Sequence, residues 1–212
     1  MFGLSNVVAI SMGRYHALAL LADGTVWGWG GNGYGELGTS GSPRTYIPVA
    51  VTGLSGVEAI AAGNSWSLAL GSDGTVWSLG DNGVGQLGDG TTVARNTPVA
   101  VSGLTGATSV AAHSMALLSN GTLRAWGSNA YGQLGDGTTT QRTSPVAVSG
   151  VARAVSVTAG NNDTLALLPD GTARGWGLNS SGQLGDGTTN TYGQLGDGTL
   201  TPRSTPVLVS GL

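Results

Sequence analysis

The chain has no cysteine and no lysine, and charged residues make up only 9% of its 212 residues. Without cysteine it has no disulfide framework, no thiolate nucleophile and no cysteine-based metal site. Without lysine it has neither Schiff-base chemistry nor the lysine of a Walker-type phosphate loop. The net charge is -3 and every basic residue is an arginine. No basic face is concentrated enough to bind phosphates, so we expect no nucleic-acid partner.

Long apolar runs are also missing. No stretch approaches the roughly 20 apolar residues that cross a bilayer, and the first eight residues, MFGLSNVV, lack the basic n-region of a signal peptide. We therefore expect no membrane partner. The compartment stays open, with an extracellular or cell-surface location slightly favoured over the cytoplasm.

Glycine is abundant, with 39 residues, and it falls into a long repeat. An Asp-Gly-Thr or Asn-Gly-Thr tripeptide starts at residues 23, 73, 120 and 170, and a Pro-Val pair starts at residues 48, 98, 145 and 206. The fourth interval is lengthened by a unit at 179–189 that recurs at 190–200. We predict a single repeat domain, 1–212, with repeats at approximately 3–53, 54–103, 104–150 and 151–212 and an eleven-residue loop duplication at 179–200.

Each repeat reads as four short β-strands separated by turn residues. In the first repeat the predicted strands are Val7–Ser11, His16–Leu21, Thr25–Trp29 and Pro48–Val51. Asp23-Gly24 has the chemistry of a two-residue type I′ hairpin turn. The third repeat is three residues short between Ala112 and His113, which predicts a tighter turn there. Four-stranded units at this spacing are typical of β-propeller blades, so the predicted class is all-β.

One large residue recurs at the same position of the third strand of each repeat. Neighbouring blades must stack to bury their faces, and we predict that these residues pack between blades. They are Trp29, Leu79, Trp126 and Trp176.

Each repeat resembles the regulator-of-chromosome-condensation repeat, through Asp-Gly-Thr-Val-Trp-x-Trp-Gly-x-Asn-x-x-Gly-Gln-Leu-Gly-Asp-Gly-Thr and a later Pro-Val strand. The match covers essentially the whole chain, at 23–37, 73–91, 120–138 and 170–188. The resemblance implies a propeller that closes with seven blades of about 51° each, whereas four would need about 90° and eight about 45°. The four blades are therefore expected to be an incomplete propeller, or half of an eight-bladed ring completed by a second chain.

The resemblance implies a scaffold and leaves the function open. The family includes an exchange factor for the GTPase Ran, a plant ultraviolet-B receptor and a secreted bacterial β-lactamase inhibitor. Neither a basic nucleosome-binding tail nor the photoreceptor's Trp-Arg-His motif is present. We expect a non-enzymatic protein-interaction scaffold that associates head to tail with its own copies through its two open ends. The alternatives are a secreted or surface binding or inhibitor module, a GTPase-exchange regulator, and an enzyme on a propeller face.

Loop residues supply the candidate partner contacts. An arginine precedes each Pro-Val strand, and these four either form a ring that binds an acidic partner or pair with a local loop aspartate. The candidate residues are Arg44, Arg95, Arg142, Arg203, Tyr34, Tyr131 and Tyr192.

Other motifs have structural explanations. Three G-x-G-x-x-G matches are predicted to serve backbone angles, because no helix follows them. His16 and His113 hold equivalent repeat positions, which spreads them around the axis instead of gathering them in a site. The loop aspartates Asp89, Asp136, Asp186 and Asp197 are expected to stabilise turns more readily than to bind calcium. We expect no catalytic residue, cofactor or metal.

Overall fold

Sixteen β-strands form the computed structural model, which describes residues 3–40, 42–180 and 202–209. The predictions that concern the duplicated loop, including Tyr192, Asp186 and Asp197, lie outside these residues. The strands are β1 (Val7–Met12), β2 (His16–Leu21), β3 (Val26–Gly31), β4 (Arg44–Ala50), β5 (Val57–Ala62), β6 (Trp66–Gly71), β7 (Val76–Gly80), β8 (Arg95–Ala100), β9 (Ala107–Ala111), β10 (Met115–Leu118), β11 (Leu123–Gly127), β12 (Arg142–Ala147), β13 (Ser156–Ala159), β14 (Asp163–Leu167), β15 (Ala173–Gly177) and β16 (Arg203–Leu208).

Each run of four consecutive strands pairs antiparallel, in chain order, into one sheet. We number these sheets blades 1 to 4. This confirms the predicted all-β class and four strands per repeat. The described residues contain no helix, and so none that could span a membrane.

The outermost strand of each blade is longer than its sequence pattern predicts. In blade 1 it begins at Arg44 instead of Pro48, and it crosses a register shift opposite Gly28 and Gly30. Its first residues are mostly exposed, because an outer strand has a neighbour on one side only. They therefore lack the apolar alternation by which a strand is recognised.

The hairpin turns differ in type from the prediction. Gly24 N donates to Leu21 O at 2.9 Å, and Gly24 has a φ of +79° while Asp23 keeps a negative φ. A type I′ turn requires a positive φ at both central residues, so the Asp-Gly prediction was wrong in this detail. Instead, Asp23 Oδ1 accepts hydrogen bonds from Thr25 N at 3.0 Å and Thr25 Oγ1 at 2.7 Å. These two bonds lower the pKa of Asp23.

The three-residue deletion in the third repeat falls in the turn between β9 and β10. Ser114 has a φ of +54°, and β10 starts only at Met115. The shortened connection is closed by a left-handed residue, which costs about 1–2 kcal/mol for a residue other than glycine.

The hydrophobic core lies between blades. One core cluster joins Leu18, Leu20 and Val26 of blade 1 to Val57 and Leu79 of blade 2, and similar clusters join the later blades. Strands β5 and β9 contact the first strands of neighbouring blades, so the first strand of each blade lines the axis. The blades form an open propeller that is not closed into a ring.

Candidate interaction surfaces

We define a seam as the contact between one blade and the next, and the second and third seams share one pattern of hydrogen bonds. The carbonyl oxygens of Gln86 and Gln133 accept bonds from the following blade. Trp126 Nε1 donates to Gln86 O at 3.0 Å, and Trp176 Nε1 donates to Gln133 O at 2.9 Å. Both indole rings are completely buried. These residues anchor their blades to the preceding one by both apolar packing and a hydrogen bond.

Hydroxyl groups complete the seams. Ser67 Oγ donates to Glu36 O at 2.7 Å, Ser114 Oγ donates to Gln86 O at 2.8 Å, and Thr164 Oγ1 donates to Gln133 O at 3.2 Å. Leu79 occupies the wedge position in blade 2 and is 1% exposed. Ala17 holds the hydroxyl position in blade 1, so that blade lacks this donor.

The wedge position in blade 1 has no blade in front of it. Trp29 is only half-buried, unlike its equivalents in later blades. On the same face, Ile10 is 75% exposed and Met12 is 80% exposed, whereas Ala62, the equivalent of Met12 in blade 2, is 3% exposed. We call this surface, with Val7, Ile10, Met12 and Trp29, the leading face.

Blade 4 has the opposite surface uncovered. Leu167 is 43% exposed, whereas its equivalents Leu70 and Leu117 are 3% and 6% exposed because the next blade covers them. Leu165 is half-buried, although its equivalent Leu68 is fully buried. We call the surface that carries Leu165 and Leu167 the trailing face.

Two of the four candidate arginines pair with a loop aspartate. Arg95 Nη2 lies 2.8 Å from Asp89 Oδ2, and Arg142 Nη2 lies 2.7 Å from Asp136 Oδ2. Burial raises the pKa of Asp89, but hydrogen bonds from Thr91 and Arg95 outweigh it and the pKa is lowered. These contacts match the local pairing alternative for Arg95 and Arg142.

Arg44 differs from these two arginines. Its strand register places Thr45, and not Arg44, opposite the glycine that corresponds to the partner of Arg95. Thr39 stands where blade 2 has Asp89. Arg44 is exposed and forms no ion pair with any described residue. Arg203 begins β16 and pairs through its backbone with Gly177.

Exposed tyrosines concentrate on blade 1. Tyr34 is 54% exposed, and Tyr131, its equivalent in blade 3, is 40% exposed. The sequence reasoning overlooked Tyr15 and Tyr46, which are 57% and 85% exposed. Their signal in the sequence is a departure from the repeat, because blade 2 has Ser65 and Asn96 at these positions.

The turns between the first two strands of all four blades line an open cavity of about 520 Å³ at the axis. His113 borders this cavity, and His16 lies in the equivalent position of blade 1. His16 Nε2 lies 2.9 Å from Ser67 Oγ. Burial lowers the pKa of each imidazole to about 4, so both are neutral at pH 7.

The loop glycines and aspartates have structural contacts. Gly35 and Gly38 of one G-x-G-x-x-G match have φ values of +88° and +65°, which glycine adopts without strain. Asp89 Oδ1 accepts hydrogen bonds from Thr91 and Asn82. Among the residues that the structure describes, no group of three histidine, aspartate or glutamate side chains is placed to hold a metal ion.

Comparisons with known proteins place this architecture in context. Two models of the regulator of chromosome condensation (RCC1) repeat match the chain, one at residues 7–36, 57–86 and 154–183 and the other at 23–70, 73–117 and 120–167. No curated protein sequence matches it.

Solved structures match over the whole chain. Human WBSCR16 has 22% identity and a TM-score of 0.80, and Prp20p from Saccharomyces cerevisiae has 25% identity and a TM-score of 0.79. Yeast RCC1 (Prp20) bound to Kap60 has 24% identity and a TM-score of 0.81. The match covers 100% of this chain but only 55%, 52% and 50% of those three chains, so this chain spans about half their length.

Proposed function

Because the chain belongs to the regulator of chromosome condensation (RCC1) repeat family, we propose that it is a non-enzymatic propeller scaffold that binds protein. The structure of Prp20p is described with its binding to Gsp1p and histones, and yeast RCC1 is bound to Kap60. These partners are all proteins. The near-equivalence of the repeats also favours binding over catalysis, which needs different groups converging on one point.

The first partner in this proposal is a second copy of the chain. At every seam inside the molecule, the surface of one blade that is equivalent to the trailing face packs on the surface of the next blade that is equivalent to the leading face. The same two surfaces are uncovered at opposite ends, as Leu167 and Met12 show by their exposure of 43% and 80%. Surfaces that pack together within the chain are complementary between chains as well, and this observation carries the proposal.

Two such contacts close a ring. The chain spans about half the length of the solved propellers that it matches. Two copies joined head to tail at both ends therefore give eight blades, with about 45° for each. If the second contact fails to close, the same seam produces a filament. Trp29 supplies the indole N–H in this contact, but Ala17 cannot supply the hydroxyl. The seam between copies therefore has one donor fewer than the second and third internal seams.

The test is the mass of the 212-residue chain, measured by native mass spectrometry and by light scattering after size exclusion, over a range of concentrations. We expect a dimer at high concentration. Ile10→Lys places a charge on the leading face and Leu167→Lys places one on the trailing face, and either variant alone is expected to be largely monomeric. Val93→Lys, at an exposed apolar loop position of blade 2, is the matched control and keeps the dimer.

Mixing the two variants tests the head-to-tail geometry. The Ile10→Lys chain keeps a normal trailing face, and the Leu167→Lys chain keeps a normal leading face. The mixture should therefore form a heterodimer held by one seam, and no larger species. A wild-type chain that stays monomeric at every concentration would contradict self-association. A contact between two like faces would leave one of the two variants dimeric on its own, which would contradict the head-to-tail geometry.

A further inference from the structure

Blade 1 carries a pocket of about 460 Å³ beside the loop between β3 and β4. Three tyrosines line it, Tyr15, Tyr34 and Tyr46, and Glu36 and Arg44 lie among them. Its volume falls within the range of about 300–1,000 Å³ that is usual for small-molecule sites. All three tyrosines replace smaller residues of blade 2, and the glutamate replaces a neutral glutamine, so this combination is a local addition to the repeat.

Glu36 is a buried carboxylate without a cationic partner. It is 2% exposed, and its Oε2 accepts a hydrogen bond from Tyr34 N at 2.8 Å. No arginine forms an ion pair with it in the described chain. Gln86 and Gln133 make the same backbone contact with a neutral amide. A buried charge is costly unless it is paired, so Glu36 is suited to a cation supplied from outside.

The space beside Glu36 is open in blade 1 and filled in blade 2. There, Gln86 Nε2 donates to Asp81 Oδ2 at 2.7 Å. Gly31 replaces Asp81 in blade 1, and a Cβ on Gly31 would lie only 3.4 Å from Glu36 Oε1. The missing side chain leaves Glu36 Oε1 without the neighbour that occupies this position in blade 2, on the wall of the pocket.

Arg44 supplies the opposite charge in the same pocket. Unlike Arg95 and Arg142, it has no loop aspartate to pair with, and it does not ion-pair with Glu36. The Arg14 guanidinium lies 5.2 Å from the centroid of the Tyr15 ring, within cation–π distance. A simple cation would satisfy Glu36 alone, whereas a ligand that carries both charges satisfies Glu36 and Arg44 together.

We propose that this pocket binds a free α-amino acid as a zwitterion. Its ammonium group donates to Glu36, its carboxylate contacts Arg44, and an apolar or aromatic side chain packs against the tyrosine rings. The proposal does not rest on self-association. Binding is measured at concentrations where the chain is monomeric, so that the two proposals are tested separately.

The experiment is isothermal titration calorimetry of the whole chain with three probes. L-phenylalanine carries both charges, phenethylamine lacks the carboxylate, and 3-phenylpropionate lacks the ammonium group. We expect saturable binding of one L-phenylalanine per chain. Each analogue should bind about tenfold or more weakly, because one charged hydrogen bond is lost. Phenethylamine that binds as tightly as L-phenylalanine would exclude the zwitterion, and absence of saturable binding by L-phenylalanine would overturn the proposal.

Two variants assign the charges. Glu36→Gln restores the residue of blades 2 and 3, and it should remove the preference for L-phenylalanine over 3-phenylpropionate. Arg44→Gln should remove the preference over phenethylamine. Tyr34→Val, which copies Val84 of blade 2, should weaken L-phenylalanine binding, whereas Tyr131→Val in blade 3 is the matched control and should leave it unchanged. Circular dichroism confirms that each variant is folded. Wild-type affinities in both charge variants would contradict the assignment.

Discussion

His16 and His113 are buried at equivalent positions and are kept neutral by the fold. Burial lowers their pKa values from 6.5 to about 4. Between these values the unfolded chain binds protons that the folded chain does not bind, so stability decreases as pH falls from about 6.5 to about 4. Each imidazole is therefore a buried structural group, and its burial makes the stability of the folded chain sensitive to acid.

The expected loss is about 2–3 kcal/mol per histidine between pH 7 and pH 4.5. Urea unfolding at several pH values measures it. His113→Gln should flatten the pH dependence by about half, since His16 still titrates. Protonation of Asp163, whose pKa is raised by burial, acts in the opposite direction, but it is common to both proteins. Equal pH dependence in the variant and the wild type would contradict this account.

The loop between the third and fourth strands determines how closely two blades approach. Gly132 has a φ of +76°, and a Cβ there would lie 2.4 Å from the Cα of Ser204 in blade 4. A Cβ on Gly35 would lie 2.4 Å from the Cα of Asn96, and a Cβ on Gly85 would lie 2.8 Å from the Cα of Thr143, each in the next blade. These glycines allow the backbone of one blade to lie directly against the backbone of the next blade. They are therefore required by the seam as well as by the loop.

Gly132→Ala and Gly171→Ala separate the two effects. Gly171 has a φ of +83° and no atom within 4 Å of its Cβ position. Its substitution should cost only the backbone strain, about 1–2 kcal/mol. Gly132→Ala must also push blade 4 away from blade 3, and we expect a larger loss of unfolding free energy in urea titrations. Equal losses of unfolding free energy in the two variants would mean that blades 3 and 4 can move apart at this seam without an energetic cost.

The whole molecule is a short stack of blades whose stability comes from the contacts between neighbours. Its internal seams bury leucines of one blade against the wedge residue of the next, whereas the equivalent residues of the leading and trailing faces are half-buried or exposed. The end blades therefore have one seam each and the middle blades have two. Self-association, as proposed, would give the end blades their second seam.

Binding between folded copies raises apparent stability by mass action. We therefore expect the melting temperature to increase with protein concentration, as followed by differential scanning calorimetry. Ile10→Lys should abolish the increase, while Val93→Lys should retain it. A wild-type melting temperature that does not change with concentration would argue against a stabilising contact between copies.

The sequence by itself determined the class, the four repeats and the four strands of each blade, because hydrophobic alternation and turn residues are local properties that recur at a fixed spacing. It also singled out Trp126 and Trp176. Only the tertiary structure decided which oxygen each indole binds and that the Asp-Gly turns use one left-handed residue. It alone brought Glu36, Arg44 and three tyrosines into one pocket. Those facts depend on register and on contacts between segments distant in the chain, and a linear pattern of residue types does not encode such distances directly.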